Sequence, residues 1–183
     1  MERYSFDSYK PTTDSQERAL GVARRVVEIA KSGTTDPAMV VLSGGPGVGK
    51  THLIEAIRYG LSASGLKYDY FSGHVPYEPK GGLPIVVGDD AFSQFDRLGG
   101  KVIDPSSAEV GALNNAVLNT WYPESSLVVM SSNFSLQAIQ TALSEFDTIG
   151  RASSRLQEMA QRGADIRIEA DDHRTSGLIQ SIF

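Results

Sequence analysis

Cysteine is absent from the chain. Disulfides and thiolate metal sites are therefore excluded, and a reducing cytoplasm is the simplest home. The three histidines, His52, His74 and His173, are too scattered for metal-ligand spacing. No segment approaches the roughly 18 apolar residues that cross a bilayer, so no membrane partner is expected. The opening residues Met1 to Phe6 have no apolar run of the signal-peptide kind. A basic excess is also missing: 17 Lys and Arg stand against 22 Asp and Glu, a formal net charge of −5. Proteins that coat DNA as monomers usually carry the opposite balance. Contact with single-stranded or duplex DNA would need a local patch or many weak sites summed over an oligomer. No long-period repeat is present.

What remains is ordinary globular composition in 183 residues, enough for one domain. Residues 1–12 are polar and aromatic, close on Pro11, and read as an arm laid on the surface of a domain spanning 13–183. Thr13 and Gln16 open a helix with capping chemistry. Ala19, Leu20, Ala23, Val26, Val27 and Ala30 follow at helical spacing, and Gly33 suits the C-cap. Met39-Val40-Val41-Leu42 reads as a buried strand. Residues 51–64 read as a helix and 67–72 as a second strand. A Gly- and Pro-rich loop covers 73–83. Ile85-Val86-Val87-Gly88 is a third strand running into Asp89 and Asp90. Residues 110–121 are helical, 127–131 form a fourth strand, 135–146 and 152–162 are helices, and 165–169 alternate like a half-buried fifth strand. Strands separated by helices imply an α/β class, a five-stranded parallel sheet between helical layers in a three-layer α/β/α domain.

Residues Gly44-Gly45-Pro46-Gly47-Val48-Gly49-Lys50-Thr51 fit the pattern G-x-x-x-x-G-K-[ST] in full. A triphosphate crowds negative charge into a small volume. Glycines let backbone N–H groups turn inward, and the helix that follows aims its free N–H groups at the same phosphates. ATP would be held by Gly45, Pro46, Gly47, Val48 and Gly49 together with Lys50, Thr51 and His52. Lys50 adds a mobile full charge for the β- and γ-phosphates, and Thr51 a hydroxyl for Mg²⁺. Asp89 follows the third strand at the carboxyl edge of the sheet and is assigned to the Mg²⁺ shell through water. Asp90, next along the turn, is placed to polarise the attacking water. Asp69 is a rival carboxylate, but it lies inside a strand-like segment rather than at its end.

With these residues in place, the chain resembles the AAA+ ATPases of the DnaC/DnaI helicase-loader group, including IstB-like transposition helpers. The likeness is carried by Gly49-Lys50-Thr51-His52-Leu53, by Val86 to Asp90, and by Val129-Met130-Ser131-Ser132-Asn133-Phe134-Ser135-Leu136, which resembles a sensor 1 strand. Gly150-Arg151-Ala152-Ser153-Ser154-Arg155-Leu156 resembles the Ser-Arg-Leu arginine-finger helix. Ile166 to Glu169 and Asp172-His173-Arg174 resemble the last strand and its basic turn, and Phe6 to Ala30 the lead-in. The resemblance implies that Asn133 lies beside the γ-phosphate and helps hold the attacking water. It implies that Arg155, with Arg151 as the alternative, reaches the ATP of a neighbouring subunit, and that Arg174 meets phosphate or the adjacent subunit. ATP-driven self-association follows, with a replicative helicase as partner and slow, oligomer-dependent hydrolysis. A separate helicase-gripping N-terminal module and a C-terminal lid domain are not expected. Only about a dozen residues separate Phe71 from Ile85. There residues 73–82, with His74, Tyr77 and Lys80, are either a reduced pore loop or a plain surface loop. A transposition helper, a small-molecule P-loop kinase and a non-hydrolysing helicase-binding adaptor are the other readings.

Overall fold

The computed structural model describes residues 4–33, 36–76, 84–124 and 126–171. Tyr77, Lys80 and Arg174, and the turn 172–174, lie outside the described residues. Five strands, β1 (Ala38–Gly44), β2 (Asp69–Ser72), β3 (Ile85–Ala91), β4 (Leu127–Ser132) and β5 (Ala164–Ile168), form one sheet of order β2-β3-β4-β1-β5. Every pairing is parallel. Five helices accompany it: α1 (Asp14–Ser32), α2 (Lys50–Ala63), α3 (Ala108–Ala116), α4 (Leu136–Phe146) and α5 (Arg151–Arg162).

Strand periodicity sorts the core into two halves. Val40, Leu42, Ile85, Val87, Leu127 and Val129 face α1 and α2. Met39, Val41, Val86, Val128 and Met130 face α3, α4 and α5. Both faces of the three central strands are covered, which is why those strands read as unbroken apolar runs. The architecture is the expected α/β class with a five-stranded parallel sheet between helical layers. No helix among the described residues is long and apolar enough to cross a membrane.

Local chemistry sets the helix ends. Thr13 caps α1 by accepting from the Gln16 N–H, and Gly33 ends it. The Gln16 Oε1 accepts from the Thr12 N–H at 2.7 Å and the Thr12 hydroxyl at 2.9 Å, and its Nε2 donates to the Val48 carbonyl at 3.1 Å. Gln16 is buried, and its amide can satisfy both the arm and the phosphate loop from there.

Two segments differ from the sequence reading. A 3₁₀ helix at Ser93–Leu98 follows β3, where no element was expected. The helix expected at 110–121 starts at Ala108, and its end is a π-turn at Val117–Trp121. The wider turn buries Trp121 completely, in stacking range of Phe71 with ring centroids 6.4 Å apart. The Phe71 ring also covers Gly88, where a Cβ would lie 2.2 Å from Cζ. Gly88→Ala must therefore displace a ring that is stacked with Trp121. We expect a loss of about 1–3 kcal/mol in urea unfolding; an unchanged midpoint would show that the ring moves freely.

Candidate nucleotide site

β1 and β4 are neighbours whose onward connections leave toward opposite faces of the sheet, through α2 and α4. In open α/β sheets the crevice at such a point, beyond the carboxyl ends of the strands, is where ligands bind. The 44–51 loop closes β1 there and opens α2. No side chain caps α2; its N-cap is Gly49 at φ +100°. The Tyr9 ring packs where a Gly49 Cβ would stand, at 2.8 Å, so space as well as φ demands glycine.

Lys50 is buried, and its ammonium donates to the Gly44 carbonyl (2.8 Å), the Gly45 carbonyl (2.7 Å) and Asn133 Oδ1 (2.7 Å). These three oxygens match the three N–H donors of an ammonium. Thr51 Oγ1 donates to Asp89 Oδ1 at 3.2 Å. A hydroxyl and a carboxylate side by side form a hard-oxygen donor pair that suits Mg²⁺, which takes few protein ligands and keeps waters and phosphates for the rest. No group of three or more His, Cys, Asp or Glu able to hold a metal occurs among the described residues.

The two acidic residues do not follow the strand, as the sequence suggested; both lie within β3. The register slips between Gly88 and Ala91, so that Asp89 and Asp90 stand opposite Ser131 alone. Such a bulge re-aims side chains. Asp90 takes φ +55°, a conformation that aspartate tolerates better than most residues. Ser131 ties the bulge: its hydroxyl donates to Asp89 Oδ1 at 2.6 Å and accepts from the Asp90 N–H at 2.8 Å. Asp69 opens β2 opposite Val86, three residues before Asp89 in register, and takes no part.

A cleft of about 460 Å³ is lined by Pro46, Gly47, Gly49, Lys50, Thr51, His52, Asp90 and Asn133, with Tyr4, Ser93 and Asp96. The fold therefore gathers most of the expected residues into one place. A second cleft of about 570 Å³ lies on the other side of Pro46, Asp96 and Asn133, and Gly45, Lys101, Ser135 and Arg167 help to line it. Asn133 is not the helix cap; Ser135 caps α4 by accepting from the Ala138 N–H. The arm is more than a surface layer. Tyr9 is buried, and His52 sits between Tyr4 and Tyr9 with edge-on ring contacts at 5.2 and 5.1 Å.

Arg155 lies outside both clefts. It stands on α5, where its Nη1 donates to the Tyr122 hydroxyl at 2.7 Å and to Glu158 Oε2 at 3.2 Å. The Tyr122 hydroxyl, with Arg155 and Arg162 nearby, holds the Glu158 carboxyl below its usual range. Arg151, in the first turn of α5, is exposed. Sequence reasoning missed Ser131 and Asp96 as site residues. Ser131 had a usable signal, a hydroxyl in a buried apolar strand; Asp96 had none, because its segment has no periodicity.

No family model and no curated protein matches the chain. Solved structures do. DnaI aligns over 93% of this chain and 90% of its own, at 19% identity and a TM-score of 0.60. The DnaC helicase loader aligns over 91% of this chain and 97% of its own, at 20% identity and 0.60. AMPPCP-bound DnaA from Aquifex aeolicus aligns over 100% of this chain, at 17% identity and 0.59; the chain spans 54% of that structure. The likeness shows the fold, one shared with DnaI, the DnaC helicase loader and DnaA.

Burial pushes the Tyr9 phenol up to about 12 from 10.0. The raised value means that the folded state holds this proton more tightly. Its contribution to stability is full below pH 10 and is lost as pH rises toward 12. Thermal midpoints across that window should fall more steeply for the parent than for Tyr9→Phe. Equal slopes would place the Tyr9 hydroxyl in solvent.

Proposed function

We propose that this protein is a Mg²⁺-dependent ATPase whose nucleotide state switches its assembly with copies of itself and with a replicative helicase being delivered onto DNA. One observation carries the reading: Lys50, Thr51, Asp89 and Asn133 converge at the carboxyl ends of β1, β3 and β4 beside an uncapped helix N-terminus. The helicase partner is supported by the fold shared with DnaI and the DnaC helicase loader. A cytoplasmic setting fits the absence of cysteine.

The chain's own groups divide the work. The loop N–H groups and the α2 N-terminus take the phosphates, and Lys50 turns its ammonium from the Gly44 and Gly45 carbonyls to phosphate oxygens. Thr51 and Asp89 would hold Mg²⁺, Asp89 through water, and the ion would supply positive charge to offset that of the phosphates. Asp90 polarises the attacking water and Asn133 orients it. Water adds to the γ-phosphorus, the bond to the β-phosphate oxygen breaks, and ADP leaves with the electron pair. Arg155, which lines neither cleft, serves the site of a neighbouring copy, stabilising charge on the departing phosphoryl group.

Lys50→Ala should abolish ATP binding in calorimetry, and retained affinity would remove the site assignment. Arg155→Ala should keep ATP affinity and lower hydrolysis by about 10³-fold; full activity would remove the trans role. Light scattering after size exclusion, with the replicative helicase of the same source and a non-hydrolysable analogue, should show a nucleotide-dependent co-complex. ATP-driven assembly on duplex DNA without that complex would favour a transposition helper.

A further inference from the structure

Asn133 is gripped from two directions. Its Oδ1 accepts from the Lys50 ammonium, and its Nδ2 donates to Asp96 Oδ2 at 2.7 Å. The partners settle which end is which, since an ammonium only donates and a carboxylate only accepts. Asp96 comes from the 3₁₀ helix Ser93–Leu98, and residues flanking that helix hold the Asn133 turn at two more points. Gly100 lies so close that a Cβ there would stand 1.9 Å from the Asn133 carbonyl oxygen. Phe92, fully buried, meets Phe134 edge-on with centroids 6.5 Å apart. The loop after β3 is therefore built onto the turn after β4, with one carboxylate aimed at the Asn133 amide.

We propose that Asp96 is the positioning residue for Asn133 and fixes which end of its amide faces the nucleotide cleft. The inference rests on the ATPase reading above. Without nucleotide, Lys50 and Asp96 orient the amide together. Once phosphates draw the Lys50 ammonium away, Asp96 alone holds Nδ2, and Oδ1 stays turned to the cleft as an acceptor for the attacking water. Loss of Asp96 lets the nearly isosteric amide flip, presenting N–H groups where an acceptor is required. The contribution therefore falls on turnover rather than on ATP affinity, and it is made entirely through Asn133.

The test uses Asp96→Ala, Asp96→Asn, Asn133→Ala and the Asp96→Ala/Asn133→Ala double variant of the full chain. Asp96→Ala should lower kcat about 10- to 100-fold with KM for ATP within about threefold of the parent. Asp96→Asn keeps an acceptor oxygen and should restore most of the rate. The double variant should be no slower than Asn133→Ala alone. Multiplying losses would overturn the proposal. So would Asp96→Asn as inactive as Asp96→Ala, which would make the carboxylate itself the proton acceptor. A second readout needs no hydrolysis: in the nucleotide-free protein the side-chain NH₂ resonances of Asn133 should be well separated, remain so in Asp96→Asn, and collapse to free-amide values in Asp96→Ala. Persistence in Asp96→Ala would overturn the contact whatever the ATPase assay shows. A parent that hydrolyses nothing, together with the collapse in Asp96→Ala, would refute the ATPase reading and leave the positioning contact standing.

Discussion

A buried ammonium organises this molecule. Lys50 sits below the surface at the start of α2, and a charge in that position must be met by oxygens or leave. The Gly44 and Gly45 carbonyls meet it from the loop that Lys50 itself closes, and Asn133 meets it from across the sheet. The loop has to fold back tightly for those carbonyls to converge. β4 has to lie beside β1 for Asn133 to arrive. Parallel pairing of those two strands, with Ser43 opposite Ser132, delivers Asn133 one residue later.

From that point polar contacts spread outward in a connected series. Asn133 reaches Asp96, Thr51 reaches Asp89, and Ser131 joins Asp89 to the backbone of Asp90. On the other side of the loop, Gln16 ties Val48 to the arm, while the Thr13 and Ser15 hydroxyls donate to the Glu169 carbonyl past the end of β5. The phosphate loop is thus held by α1, by the arm and by three strands. Lys50 is thus joined through Asn133 to the loop after β3, and the loop that carries it is joined through Gln16 to the arm.

The position of Arg155 fits the same logic. α5 packs over β1 through Ala152, Leu156 and Met159 on one side, so its opposite face must point away from the sheet. Arg155 emerges near that boundary and rests on the Tyr122 ring, with its guanidinium carbon 4.2 Å from the centroid. The π-turn that buries Trp121 also sets Tyr122 against α5. One irregular turn thus serves the core and steadies a surface arginine.

Much of this was legible in the chain as written. The three buried central strands announced themselves as apolar runs, α1 by its spacing and caps, and the phosphate loop by glycines whose use is purely local. Asn133 was legible because it follows an apolar strand, and the acidic pair because an apolar run leads into it, although both acids belong to the bulged end of β3 itself. These features depend on neighbours within a few residues, where backbone geometry is set by the residues themselves. The rest needed the assembled sheet. The β3 bulge exists only because β4 offers Ser131 to bridge it, and a bulge changes register without changing composition. Gln16 reaches the Val48 carbonyl, 32 residues along the chain, a partner that no local pattern announces. Asp96 sits in a segment with no period and no motif, and its partner lies 37 residues away. Sequence determines what each segment can form alone; which side chains meet across segments is decided by strand order and register, because those set the distances over which a hydrogen bond can close.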